Sequence, residues 1–259
     1  MKRLEIRLLF IFLFSAFSIF VSGQEKQEES LLKGRTIYHH EYAFGAQVYS
    51  NGFAINGYYG KHKNYTDRNI YFFEIATLNH KKEIRSHNLY SDGRSYFFGK
   101  DHSVLLFKAG YGKHKILYEK FRSRAVAIGY TWSIGPSLAL LKPIYLEVQE
   151  PGTRLSATER FDPERHYQIP STTGPPLTNI SGRAPWMRGL EEASVMPSIF
   201  MKAGLMFENS PEDEGLRALE LGVTLDLFPK EVPIMAFDVN SFYYFGLYLT
   251  IRYGKKENV

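Results

Sequence analysis

The histidines are the residues of this chain best suited by type to metal binding or catalysis. The chain carries eight of them and no cysteine. His39, His40 and Glu41 are consecutive, so they could offer three ligands to zinc. Adjacent residues of a strand point to opposite faces, so the two histidines would need a bend to reach one ion. We therefore predict no metal site and no cofactor.

A serine beside a histidine raises a second chemistry. Asp101, His102 and Ser103 are consecutive, and a Ser–His pair at the rim of a barrel would suit an enzyme that cleaves lipid. Such a pair must be oriented by a third group, which would have to come from facing strands. The sequence has no G-x-S-x-G elbow, no phosphate-binding glycine loop and no H-E-x-x-H. We predict no catalytic residue and no cofactor-binding residue, and a rim lipid hydrolase remains the alternative.

The elements that would position these residues are β-strands. The 259 residues are 15% aromatic and include 18 Tyr, 20 Phe and 21 Gly. Aromatic side chains fit pleated sheets and glycine marks turns. This content argues against a disordered chain, and a small disulfide-rich domain would need cysteines. The formal charge of +5 is mild and no block of five like charges occurs, so we expect no nucleic-acid partner.

The first 23 residues have the order of a secretory signal peptide. Lys2 and Arg3 are followed by an almost wholly apolar run over 8–21 and then by the small residues Ser22 and Gly23. The apolar run is shorter than the ~20 residues of a membrane-spanning helix. We predict a cleaved signal peptide over 1–23 and one exported domain over 24–259, with an uncleaved anchor as the alternative.

Three later segments alternate large apolar residues with small or polar ones. In 124–134 the even positions from Val126 to Ile134 are large and apolar, whereas the odd ones hold Gly, Ala, Ser and Thr. The segments 217–227 and 243–253 show the same period. Each segment has about the length with which a tilted strand crosses a bilayer. A soluble strand would carry dense charges on its polar face. Small residues suit the cramped interior of a closed barrel whose large side chains meet lipid.

The sequence therefore predicts an all-β fold, a closed antiparallel transmembrane β-barrel of eight to twelve strands, with ten as the best estimate. An even number brings both termini to the periplasmic side. A tight turn is expected at 134–137, and Glu220, Asp226 and Arg252 are expected to form charge pairs inside. The predicted strands cover 41–49, 53–61, 70–79, 94–109, 113–119, 124–134, 137–148, 194–208, 217–228 and 241–253.

The connection over 149–193 differs from the strands. It holds six prolines and five arginines without sustained alternation. In the predicted topology it lies on the outer side, where long loops belong. We interpret it as a solvated excursion over the barrel mouth, with a contact surface for a partner or ligand as the alternative.

Several segments resemble small outer-membrane β-barrel proteins of Bacteroidota. The resemblance covers about residues 38 to 148 and, more loosely, the closing strands. It implies a barrel fold and an outer-membrane location, without an established activity. One departure is that residues 254–259 follow the last aromatic residue, whereas such barrels typically end on an aromatic. The resembling segments are 51–55, 73–75, 79–84, 95–100, 110–112, 137–140 and 142–147.

The expected function is a non-enzymatic one in the outer membrane of a Gram-negative bacterium, either structural in the envelope or accessory to assembly or secretion. The expected partners are outer-membrane lipid and a protein of the envelope or secretion machinery. A soluble, secreted, lipocalin-like binding protein is a further alternative. Val126 and Leu221 facing outward, with Gly129 and Thr224 facing inward, would favour the membrane barrel.

Overall fold

The computed structural model describes residues 39–64, 66–88, 94–118, 126–149, 156–169, 177–209, 215–237 and 240–257. The predicted signal peptide lies outside the described residues. Within them, no helix is long and apolar enough to cross a membrane. The strands are β1 (His40–Tyr49), β2 (Gly52–His62), β3 (Asp67–Leu78), β4 (Arg85–Ser86), β5 (Tyr96–Phe97), β6 (His102–Tyr118), β7 (Ala127–Pro143), β8 (Tyr145–Gln149), β9 (Ser156–Arg160), β10 (Gln168–Ile169), β11 (Leu177–Thr178), β12 (Ile180–Arg183), β13 (Ser194–Glu208), β14 (Gly215–Leu227) and β15 (Tyr243–Glu257).

Eight long strands close into an antiparallel barrel. Their order is β1-β15-β14-β13-β7-β6-β3-β2, and β2 pairs with β1 to complete the ring. Closure leaves no barrel strand with an unpaired edge. The all-β fold and the closed antiparallel barrel are confirmed, while the best estimate of ten strands is wrong by two.

The error in strand number arises where turn-forming residues lie inside strands. β6 joins the second half of the predicted strand 94–109 to 113–119, and β7 joins 124–134 to the first half of 137–148. The predicted turn at 134–137 is therefore wrong. A Cβ on Gly135 would lie 2.1 Å from the carbonyl oxygen of Ala109, so glycine permits the close approach of two strands here. Pro136 lies beside the gap in the β6–β7 ladder at Ala109 and Gly110, where a missing N–H is tolerated.

The two ends of the barrel differ. His40 at the start of β1 pairs with Glu257 at the end of β15, and we call this the terminal end. The connections over 79–101, 144–193 and 228–242 all leave from the opposite end, which we call the loop end. The connection over 149–193 thus leaves from the end opposite the β1–β15 pairing of His40 with Glu257, and its location outside the cell stays a prediction.

The long connections build a small cap at the loop end, which we define as the described residues of 79–98 and 144–193. It contains the three-stranded sheet β12-β8-β9 and the pairs β4-β5 and β10-β11. The connection over 149–193 therefore contains short β-strands. Its apolar residues are too few to produce an alternating sequence pattern, but they still pack together. The buried cluster of the cap comprises Tyr96, Ile144, Leu146, Val148, Phe161 and Ile180.

A further segment, 228–237, closes the barrel at the loop end. Val232 and Ile234 are fully buried, and the backbone N–H of Asp101 donates to the carbonyl of Ile234 at 2.9 Å. The segment packs against strand residues that include Leu106 and Leu141. The mouth of the barrel is therefore sealed by apolar contacts.

Candidate functional site

The outer face of the barrel is apolar and the inner face is small or polar. Val126 is 42% exposed and Leu221 is 53% exposed, whereas Thr224 is 2% exposed and Gly129 is buried. The orientation expected from the alternation is confirmed. It is the reverse of a lipocalin-like binder, which needs a hollow, apolar interior.

The exposed apolar face is tall enough to cover a hydrocarbon layer. On β15 every outward residue from Tyr243 to Tyr253 is large, apolar or aromatic, and exposed. Ten steps of ~3.3 Å give about 33 Å along the strand. A typical tilt of ~40° reduces this to about 25 Å, the height of the apolar band on outer-membrane barrels.

A row of tyrosines crosses four neighbouring strands at one height near the terminal end. The register pairs Tyr42 with Tyr59, Tyr59 with Tyr71, and Tyr71 with Tyr111. Successive ring centroids are 5.1, 6.1 and 5.4 Å apart. Rows of amphipathic aromatic rings are typical of membrane–water interfaces. The sequence suggests an interfacial position for Tyr59 and Tyr111, but the alignment of the row depends on the register of four strands.

A central network of ion pairs fills the middle of the barrel. Glu74 accepts hydrogen bonds from Lys202 at 2.7 Å and from Tyr49. Lys108 lies 2.7 Å from Asp226. The side-chain amide oxygen of Gln47 accepts a further bond from Lys202 at 3.0 Å. The inward position expected for Asp226 is confirmed, and its partner is a lysine that the sequence did not indicate.

Glu220 extends this network towards the terminal end. It pairs with Arg252 at 2.6 Å, as predicted, and accepts from Tyr248 at 2.5 Å and Thr131 at 2.9 Å. A cavity of about 20 Å³ lies against these groups and beside Tyr58, room for about one water molecule. The hydroxyl of Tyr58 and Nε of Arg252 are buried without a protein partner among the described residues.

A second network occupies the terminal end. Arg68 bridges Glu41 and Glu208, with the latter contact at 3.0 Å. His62 lies 3.2 Å from Glu41, and Lys256 lies 2.5 Å from Glu208. The five residues of this network lie on five different strands, β1, β2, β3, β13 and β15, so no spacing rule could have found them.

Charge is balanced across the two networks, which together hold five carboxylates and five lysine or arginine cations. Buried charges are tolerated only when they are paired and hydrogen-bonded. A lumen filled by side chains in this way is typical of a barrel of eight strands, whose interior is just wide enough for side chains to fill it. The charged members are Glu41, Glu74, Glu208, Glu220, Asp226, Arg68, Lys108, Lys202, Arg252 and Lys256.

The rim histidine considered for catalysis is held by other groups. His102 Nδ1 lies 3.0 Å from the carbonyl of Pro233, and Nε2 lies 3.4 Å from the guanidinium of Arg160. Because a guanidinium only donates, Nε2 accepts and Nδ1 donates. Both ring nitrogens are thus engaged, and no hydrogen bond between the described side chains of His102 and Ser103 forms a nucleophile–base pair. The ring of His102 is therefore oriented by contacts with Pro233, Arg160 and the carboxylate of Asp101, which lies 3.1 Å from Nδ1.

Two of the residues considered for zinc, His40 and Glu41, are also separated. Glu41 is fully buried inside the barrel, whereas His40 stacks on Tyr59, with its Nδ1 2.7 Å from the tyrosine hydroxyl. Neighbouring side chains therefore diverge, as the strand geometry predicts. In the part of the chain that the structure describes, no three acidic or histidine side chains are placed to hold a metal ion.

Comparison with solved structures finds small outer-membrane β-barrel proteins. Neisserial surface protein A (NspA) has 8% identity and a TM-score of 0.37, with 84% of this chain and 94% of that chain covered. Ail, the attachment invasion locus protein of Yersinia pestis, has 9% identity and a TM-score of 0.36, with 85% and 100% covered. No protein-family model and no curated protein matches the chain. The resemblance to Bacteroidota proteins stays a prediction.

Proposed function

We propose that this chain is an outer-membrane β-barrel protein with a non-enzymatic role in the cell envelope. The observation that carries the proposal is the outer face of the barrel, which exposes residues such as Phe44 (75%), Phe53 and Ile55 (64% each). Contiguous apolar surface on this scale is unfavourable in water and marks contact with a membrane or a partner. The exposed band continues around a closed ring of strands, as a lipid-facing surface does.

The proposed orientation places the terminal end in the periplasm and the loop end outside the cell. In outer-membrane barrels the periplasmic turns are short and the external loops are long. Here the β2–β3 connection spans only four residues, whereas the longest connections all leave from the loop end. The proposal includes export through a signal peptide over 1–23 and a Gram-negative source, with Bacteroidota indicated by the sequence resemblance.

A structural or accessory role fits the filled barrel better than transport does. The two charge networks and the sealed mouth occupy the space that a channel would need. The cap then provides the surface on which a protein of the envelope, assembly or secretion machinery would bind. The filled interior of the barrel and the exposed cap together support this role.

Fractionation with a heat-modifiability gel tests the proposal. We expect the protein in the membrane fraction, released only by detergent, with unheated samples migrating differently from boiled ones because the closed barrel resists unfolding. N-terminal sequencing should begin at Gln24. Recovery in the soluble fraction, without a mobility difference, would overturn the membrane assignment.

A lipid hydrolase remains the competing function that is simplest to exclude. We expect Ser103→Ala and His102→Ala to leave phospholipid turnover in reconstituted vesicles the same as with the unaltered protein. Turnover that the unaltered protein supports and both variants abolish would replace the structural role with an enzymatic one.

A further inference from the structure

A short turn covers the outer wall of the barrel at the loop end. Lys142 has the same parity on β7 as Leu138, which is 51% exposed, so the lysine side chain points outward. Yet Lys142 is only 8% exposed. A segment outside the barrel therefore covers the side chain of Lys142, and this segment is the turn at 185–190.

Specific contacts hold this turn against the wall. The ammonium of Lys142 donates to the carbonyl of Arg188 at 3.1 Å and lies 5.7 Å from the ring centroid of Trp186. Gly189 adopts φ of +81°, a conformation that L side chains rarely take. A Cβ at Gly189 would lie 2.8 Å from the carbonyl oxygen of Pro143. The turn is thus seated where β7 ends and the cap begins.

The turn presents apolar side chains next to the lipid-facing band. Trp186 is 57% exposed and Met187 is 67% exposed. Val195, the first outward apolar residue of β13, follows the turn closely in the sequence and is 62% exposed. The apolar band of the barrel therefore continues onto the turn at the level of the loop end.

Cations lie around the same turn. The guanidinium of Arg188 is 5.7 Å from the ring of Tyr145. Arg183 is close enough to act electrostatically on Lys142, and its buried Nε has no hydrogen-bond partner among the described residues. Of the nearby acids, Glu192 is held by the hydroxyl of Tyr145 at 2.5 Å. Three cations, Lys142, Arg183 and Arg188, thus lie at or beside the turn, and the exposed Glu191 follows it in the chain.

We propose that the turn at 185–190 is a binding site for a phosphate-bearing lipid of the outer leaflet. Trp186 and Met187 enter the interface, where indole rings are favoured. Arg183 and Arg188 bind the headgroup phosphate, for which guanidinium groups provide paired, charge-assisted donors. This inference rests on the proposed membrane location of the barrel.

The chain has only two tryptophans. Replacing one at a time therefore allows the membrane location and the lipid site to be tested separately. Trp132 lies on the outer wall at 39% exposure and Trp186 lies in the turn. Trp186→Phe therefore leaves a reporter of the barrel, and Trp132→Phe leaves a reporter of the turn. In vesicles of brominated phosphatidylcholine we expect both reporters to be quenched. Quenching of Trp132 alone overturns the lipid site and keeps the membrane barrel, and quenching of neither overturns both.

Headgroup recognition has its own test. The Trp132→Phe protein in detergent is titrated with lipid A or with dephosphorylated lipid A, which keeps the sugars and acyl chains but lacks phosphate, and the emission of Trp186 is followed. We expect tighter binding of lipid A, weakened about tenfold or more by Arg183→Gln with Arg188→Gln. Arg165→Gln, at an exposed cap arginine 3.0 Å from Glu159, is the matched control and should bind as before. Equal affinity for both lipids, or no loss in the double variant, would overturn the phosphate contact.

Discussion

The barrel and the cap arrange polar and apolar groups in opposite ways. In the barrel, Glu74 and Lys108 are almost wholly buried while Leu221 is exposed; in the cap, Leu146 is fully buried while Arg165 lies outside. Both regions are built from strands with a period of two, so local structure does not explain the inversion. The proposed membrane location accounts for it, since lipid favours apolar exteriors and water favours charged ones.

The two interiors also derive stability differently. The apolar cluster of the cap gains from removing hydrocarbon from water. In the barrel, each charge pays a desolvation cost that its partners offset only when the network is complete. Losing one member should therefore be more costly in the barrel than losing one side chain in the cap.

The largest effect is expected for Glu74→Ala. The change leaves Lys108 and Lys202 near each other in the interior without their shared carboxylate, and we expect a loss of about 4 kcal/mol in unfolding free energy. Urea unfolding in detergent, read from the heat-modifiable band, measures it. Glu192→Gln, on the exposed cap, is the control. A loss no larger than that of the control would show that the network is not needed for stability.

Leu146→Ala should destabilise the cap alone. Removing a fully buried side chain from its apolar cluster costs about 3 kcal/mol. Because none of the six residues of this cluster lies on a barrel strand, we expect faster tryptic cleavage within the cap and an unchanged heat-modifiable barrel. A matching loss of barrel stability would mean that cap and barrel unfold as one unit.

Leu221→Lys tests the outer face directly. This residue lies opposite Leu205 and Leu249 on the apolar wall, and a lysine there should cost about 2–3 kcal/mol in a bilayer. Folding into lipid vesicles measures the loss. Tyr167→Lys, at a half-exposed cap residue, should be nearly neutral. If both substitutions are equally harmless, the outer face does not contact lipid.

The smallest effect concerns the pH dependence of the cap. Burial lowers the pKa of His166 below its ordinary value of 6.5, and its Nδ1 accepts the backbone N–H of Asp162 at 2.8 Å. Below pH 6.5 the unfolded chain binds a proton that the folded cap resists, so cap stability falls with falling pH. Tryptic cleavage above and below this pH measures it. His166→Phe should remove the dependence and exposed His87→Phe should preserve it; the reverse would contradict the assignment.

Particular residues show how far sequence reasoning reaches. The outward orientation of Val126 and Leu221 was predictable, because a period of two can be recognised from neighbouring residues in the sequence. The continuity of β7 through Gly135 was not, because the same residue type marks a turn or a close approach of two strands. The bridge from Arg68 to Glu41 and Glu208 was also beyond prediction, since it joins residues far apart along the chain.

The sequence by itself determined that this chain forms a closed β-barrel with its large side chains outward, because alternation is a local property that every strand repeats. Only the tertiary structure decided the strand number, the tyrosine row, the pairing of the interior charges and the position of Trp186 beside the outer face of the barrel. These depend on register, and register is set by contacts between strands whose positions in the chain do not reveal which residues will face each other.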